Sequence, residues 1–151
     1  MTQEDKMLLI KDLSARLPYA VTVEHTSGFR GTLHDITVHH MYDDNDNVHD
    51  AICYTDFFGD EDSIYIEYFK PYLFPLSSMT EEQLKDLGTY YAKDSKIIFD
   101  DTIKSLESPL VMYKAAHVCF NTLEWYNKNH FDYRGLIEKG LAIDATNKNI
   151  Y

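Results

Sequence analysis

Residues 39 to 50, HHMYDDNDNVHD, place three histidines, four aspartates and two asparagines within twelve positions. Calcium binding, transition-metal chemistry and acidic recognition all use such residues. As a calcium loop the stretch fails in detail. Reading DxNxN from Asp43 puts Val48 at the sixth position, where the sharp turn needs glycine, and Tyr54 at the twelfth, where a bidentate glutamate closes the site. As a transition-metal site it is limited by strand geometry, because His39 and His40 are neighbours and point to opposite faces. His34 and His40 share a face by alternation, and His49 or Asp50 can arrive from the next strand. The candidate metal set is therefore His34, His40, His49 and Asp50, and a bound water acting as nucleophile would make the chain a metal-dependent hydrolase. The plainer reading of 43 to 47 is a solvated hairpin loop, since Asp and Asn favour turns.

Other catalytic constellations are thin. HExxH, GxSxG, GxGxxG and Walker sequences are all missing. His117 and Cys119 are two residues apart in a helical pattern and share no face, so Cys119 reads as a core residue. Cys53 reads the same way, because two isolated thiols make neither a CxxC pair nor a disulfide framework. The run NHFDYR at 129 to 134 gathers an imidazole, a carboxylate, a phenol and a guanidinium. The structural roles there are stronger than the catalytic ones: Asp132 caps a helix, Phe131 anchors the turn and Arg134 pairs with a nearby acid.

Charge is the most informative compositional feature. The formal net charge is −11, and between Gly31 and Phe69 stand ten acids with no Lys or Arg. Elsewhere fifteen acids face fourteen bases, so nearly all the excess lies in this part of the chain. Direct nucleic-acid binding, which needs cations against phosphates, is not expected. Asp43, Asp44, Asp46, Asp60, Glu61 and Asp62 are the candidate partner-binding face, suited to a basic protein surface.

A length of 151 residues with 44% hydrophobic and 26% charged content fits one globular domain, residues 1–151, with a β-rich acidic part over 20–70 and a helical part over 80–140. The start, MTQEDKMLLI, is acidic where a signal peptide is basic, and no run approaches the roughly 18 apolar residues of a spanning helix. A cytoplasmic protein without membrane association or cofactor is expected, its oligomeric state open.

The elements that position these residues follow from periodicity. Thr2 with Asp5 predicts a helix cap, and Met7, Leu9, Ile10, Leu13 and Leu17 form an apolar stripe ending near Pro18. Strand patterns follow at 20 to 23, 29 to 42, 51 to 58 and 63 to 69, joined by polar loops into two hairpins. Tyr54, Phe57, Phe58, Tyr65, Tyr68, Phe69, Tyr72 and Phe74 read mostly as core at strand spacing, with surplus tyrosines for a partner. Pro71 and Pro75 argue against a regular central strand, so the sheet is expected to end there. Thr80 with Gln83 is a capping box and Met79 with Leu84 its staple, opening a helix at Glu81 whose buried face is Leu84, Leu87 and Tyr91. A helix over about 109 to 128 and a last one, YRGLIEK, capped by Asp132 and stopped by Gly140, complete the pattern. Trp125, Phe131, Leu136 and Leu141 are expected inside. The fold class is α+β: a small antiparallel sheet, with an SH3-like or Sm-like barrel as one form of it, preceded by one helix and followed by two to three.

Three stretches, MTQEDKMLLIKDLSARLPYAVTV, FKPYLFPLSSMTEEQ and WYNKNHFDYRGLIEKGLAID, carry the combination of KPYL, SSMTEE and HFDYRGLIEKGLA. They resemble a family of small uncharacterised bacterial proteins of the phage and mobile-element type. The resemblance implies no activity and assigns no site residues. The leading expectation is a non-enzymatic binding or accessory protein with an acidic surface for a basic protein partner. In its narrower form it is a mobile-element product that imitates the charge of DNA. The alternatives are the hydrolase and a structural protein that acts by oligomerising.

Overall fold

The computed structural model describes residues 1–42, 48–55, 62–87 and 120–151. Helix α1 (Gln3–Arg16) opens on a full capping box: the Asp5 amide donates to Thr2 Oγ1 at 3.1 Å, and the Thr2 amide donates back to Asp5 Oδ2 at 3.3 Å. Its apolar stripe delivers Leu9, Ile10 and Leu13 to the core. A short turn of 3-10 helix containing Pro18 and a left-handed Ala20 (φ 51°) end it and redirect the chain into the sheet.

The sheet consists of β1 (Thr22–His25), β2 (Arg30–Tyr42), β3 (Val48–Thr55), β4 (Asp62–Tyr65), β5 (Phe69–Pro75), β6 (Phe131–Asp132) and β7 (Ile143–Asp144). The path runs β4-β3-β2-β1-β5-β6, with β7 also on β5, and β4 does not pair with β6 among the described residues. The hairpin partners and the β1–β5 pair are antiparallel, and parallel pairing enters only with the two-residue strands β6 and β7. The fold is therefore α+β, with the expected helix first and the four expected strands in order.

Two sequence expectations are corrected here. The sheet does not end at Lys70–Pro75: β5 is a strand with partners on both sides. Thr26 N–H donates to the Tyr68 carbonyl at 2.8 Å, which fixes the alternation so that Val23 and Pro71 face each other as a non-hydrogen-bonded pair. A missing proline N–H costs the β1–β5 ladder nothing there. The last predicted helix is also absent, and residues 133–140 are turns. Gly135 has φ 71°, which interrupts helical backbone at its third residue. Asp132 instead caps a loop, its two oxygens accepting the amides of Leu136 (2.9 Å) and Ile137 (2.8 Å). Gly140 is left-handed as expected (φ 70°), with Leu141 folded back so that its amide meets the Leu136 carbonyl at 2.8 Å.

The core joins Leu9, Ile10 and Leu13 of α1 to Val21, Val23, Leu33, Ile66, Phe69 and Leu73 of the sheet region, and Leu136, Leu141 and Ala142 close it from the C-terminal end. Trp125, Phe131, Leu136 and Leu141 are all buried, Phe131 stacked on the Trp125 ring. Phe69 and Tyr72 are core, whereas Tyr68 is exposed. The Thr80 capping box forms, with the Gln83 amide 3.2 Å from Thr80 Oγ1 and the Thr80 amide 2.8 Å from Gln83 Oε1, and residues 81–87 are helical. Leu84, however, is exposed and not part of a buried face. Residues 120–128 are helical, while the earlier part of the expected 109–128 helix, with Tyr91 and Cys119, lies outside the described residues. No helix among the described residues is long and apolar enough to cross a membrane.

Candidate functional site

Of the acidic face, Asp43, Asp44, Asp46, Asp60 and Glu61 lie outside the described residues. The backbone of Asp62 opens β4 opposite Thr55. The candidate metal set starts on β2, where His34 is exposed. The ladder to β3 slips twice, between Leu33 and Asp35 and between Val38 and Met41, each time with one extra residue on β2. Leu33 and Ile36, three apart, therefore both meet the core. The alternation expected to put His34 and His40 on one face is interrupted by these two irregularities, and the His40 side chain lies outside the described residues. His49 and Asp50 sit on β3, where His49 is opposite Met41; the side chains of His40, His49 and Asp50, like that of Cys53, lie outside the described set. Among the described residues, no three His, Cys, Asp or Glu side chains stand together as a metal site.

The unusual chemistry that the structure does bring together lies at the opposite end of the strand path. Arg16 is fully buried. Its Nε and Nη2 bind Asp12 at 2.6 and 3.1 Å, and Nη2 also donates to the Phe131 carbonyl at 2.8 Å. Arg134 approaches the same carboxylate, Nε to Oδ1 3.2 Å, within ion-pair reach but off the hydrogen-bond direction. Asp12 is thus the acid that the sequence left unidentified for Arg134. The Tyr133 ring lies against both guanidiniums, with Cζ of Arg134 at 4.9 Å and of Arg16 at 5.5 Å from its centroid, and stacks on Tyr126 from the helical residues 120–128. Two guanidiniums share one carboxylate, so the cluster carries a surplus positive charge in a low-dielectric setting, and Arg16 Nη1 is buried without a partner.

A cleft of about 340 Å³ opens over this cluster, between the C-terminal end of α1 with Pro18 and Tyr19 on one side and Phe120, Leu123, Glu124 and Asn127 on the other, with Tyr133 and Arg134 at its base. Spacing explains the second wall: residues 120, 123, 124 and 127 share one face of a helix. Tyr19 donates its hydroxyl to Glu124 Oε1 at 3.0 Å. Asn127 is buried, and its Oδ1 has no hydrogen-bond partner. A second cavity, about 370 Å³, lies beside Asp132, Tyr133 and Glu138. Both Asp132 oxygens are already committed to backbone amides, which leaves that cavity with less unused polar capacity.

A polar system also ties the C-terminus to the sheet. The Tyr151 hydroxyl accepts from Thr22 N–H (3.2 Å) and donates to the Tyr72 carbonyl (2.8 Å), bridging β1 and β5. Its burial pushes the phenol up to about 12. Tyr72 donates to Glu24, which Arg30 also grips at 3.0 Å; the Tyr72 bond above all holds the Glu24 carboxyl below its ordinary range. His130, left-handed at φ 56°, stacks on the Tyr151 ring at 3.8 Å with Nδ1 buried and unpartnered. Burial, and then the Arg16 charge, lower this imidazole from 6.5 to about 4.

That shift predicts a pH dependence. Between about 6.5 and about 4 the unfolded chain binds a proton at this position and the folded chain does not, so stability falls as pH drops through that window. The expected loss is up to about 3 kcal/mol. His130→Asn tolerates the left-handed backbone and does not titrate, so its unfolding free energy by urea titration should fall less steeply than wild type between pH 6.5 and pH 4. Identical slopes for the two proteins would assign the pH dependence to other groups.

Sequence reasoning missed Asp12 and Arg16, although a signal was present. Positions 9, 12, 13 and 16 form one helix face, so an opposite-charge i, i+4 pair lies inside the apolar stripe, where it must be buried with its charge satisfied. No protein-family model, curated protein or solved structure matches the chain.

Proposed function

We propose that the chain is a non-enzymatic binding protein whose acidic half-sheet engages a basic protein surface. The observation that carries this reading is the run of ten acids without Lys or Arg between Gly31 and Phe69, which spans three consecutive strands, β2, β3 and β4, at one end of the strand path. The buried guanidiniums stand against α1 and the β6 end. Charge concentrated in one segment of the chain speeds encounter with a cationic partner and selects against anionic ones. A narrower form, in keeping with the mobile-element resemblance, is a protein that occupies a host nuclease or regulator by presenting carboxylates in place of phosphates.

The test replaces Asp43, Asp44, Asp46, Asp60 and Asp62 together with Asn. Folding should stay close to wild type, because Asn keeps the size and polarity of Asp at each position. A partner captured by the wild-type protein from host extract at low salt should be lost by the variant, and the salt dependence of binding should flatten. Capture unchanged by all five substitutions would reduce the acidic surface to a solubility feature. Stoichiometric zinc or manganese that disappears on changing His34 and His40 would move the reading to the hydrolase.

A further inference from the structure

We infer that the cleft beside Arg134 binds an apolar α-amino acid in its zwitterionic form. Two charged groups there, Arg134 and Glu124, can meet a ligand. Arg134 has Nε buried toward Asp12 while its side chain is one-quarter exposed and lines the cleft, so other guanidinium N–H groups are available to a ligand. Because Arg16 already occupies Asp12 with two hydrogen bonds, a ligand carboxylate meets an under-neutralised cation with the fork geometry that suits it. Asn127 is 7% exposed and lines the same cleft, but its unpartnered Oδ1 is itself buried from solvent, so recognition of an ammonium falls to Glu124. Glu124, one helical turn earlier, contributes a carboxylate at the exposed rim, whose Oε1 already accepts from Tyr19. A carboxylate on this wall and the Arg134 donors at the base match an ammonium and a carboxylate borne by one carbon.

The rest of the cleft is apolar. Phe120 and Leu123 are 65% and 42% exposed, on the same helix face as Glu124 and Asn127, and the Tyr133 ring faces them from the base. A Leu- or Phe-sized side chain would cover this surface, and about 340 Å³ lies in the range of small-ligand pockets, roughly 300–1,000 Å³. Other ligand classes fit less well. A phosphate meets the like charge of Glu124, while a neutral hydrocarbon offers no charge to either Arg134 or Glu124.

The experiment is calorimetric titration of the whole chain with L-phenylalanine and L-leucine, alongside 3-phenylpropionate, which lacks the ammonium, and L-phenylalaninamide, which lacks the carboxylate. Saturable binding of the two amino acids is expected, with each truncated compound weaker by about tenfold or more. Glu124→Gln, at an exposed position, should lower L-phenylalanine affinity to that of 3-phenylpropionate, whose own binding should not weaken, because a like charge is removed. Arg134→Lys should weaken both carboxylates, because lysine keeps the charge and loses the fork. Circular dichroism confirms that each variant is folded before titration. The inference is overturned if neither amino acid binds at ~10 mM, if all four compounds bind alike, or if folded Glu124→Gln and Arg134→Lys proteins keep wild-type affinity for L-phenylalanine.

Discussion

Asp12→Ala should destabilise the protein by about 3–5 kcal/mol, the range for breaking a buried ion pair from one side. The magnitude follows from what remains. Arg16 is fully buried and loses both of its side-chain hydrogen bonds, and Arg134 loses its counter-charge 3.2 Å away. Two like charges would then stand close together beside the Tyr133 ring. Asp12→Asn should cost less, because an amide oxygen still accepts a hydrogen bond from Arg16 although the charge is gone. The double variant Asp12→Leu with Arg16→Met should be more stable than Asp12→Ala, since it removes the buried charge together with its partner. Its deficit relative to wild type should reflect mainly the unpaired Phe131 carbonyl, which Arg16 holds at 2.8 Å. Urea denaturation near neutral pH measures all three. A change below about 1 kcal/mol for Asp12→Ala, the scale of an exposed pair, would show that the cluster is effectively solvated.

This cluster also shows where sequence reasoning reaches its limit. The elements written into local pattern were legible: the Thr2 and Thr80 capping boxes, the apolar stripe of α1 and the β-rich runs of the two hairpins all form. What was not legible depends on partners distant in the chain. Pro71 spoke against a central strand, and only the hydrogen-bond phase set by β1 makes it harmless. Strands β6 and β7 are two residues long, too short to carry any period, and among the described residues pair only with β5. Gly135 was a breaker in plain view within YRGLIEK, and its left-handed backbone is why turns replace the expected helix. For the site, the run at 129 to 134 was recognised as dense in polar groups, and its structural roles were assigned to Asp132, Phe131 and Arg134. Its counterpart on α1 was not, because no local pattern links Asp12 and Arg16 to residues at the other end of the chain. The register slips on β2 were equally invisible, and they interrupt the alternation on which the pairing of His34 with His40 rests.

Truncation before Trp125 should abolish cooperative folding altogether. The lost segment contributes more than a surface cover. Leu136, Leu141 and Ala142 belong to the same core cluster as Leu9, Leu13 and Val23, and Trp125 and Phe131 are buried and stacked in parallel planes at 5.6 Å. Removing one buried Phe or Trp side chain costs about 3–5 kcal/mol, and a whole domain is stable by only about 5–15 kcal/mol, so losing several at once exceeds what the remainder can supply. Polar consequences point the same way. Without the segment, Arg16 loses the Phe131 carbonyl, Thr22 N–H and the Tyr72 carbonyl lose the Tyr151 hydroxyl that bridges them, and the far edge of β5 loses β6 and β7. An open edge beside exposed core residues is a template for aggregation. The truncated chain should therefore show no sigmoidal thermal transition and should sediment as aggregate. Phe131→Ala in the full chain gives the graded version, a loss of about 3–5 kcal/mol with folding retained. A truncated protein that melts cooperatively near the wild-type temperature would mean that α1 and β1–β5 form a self-sufficient unit, on which the C-terminal strands are only a later addition.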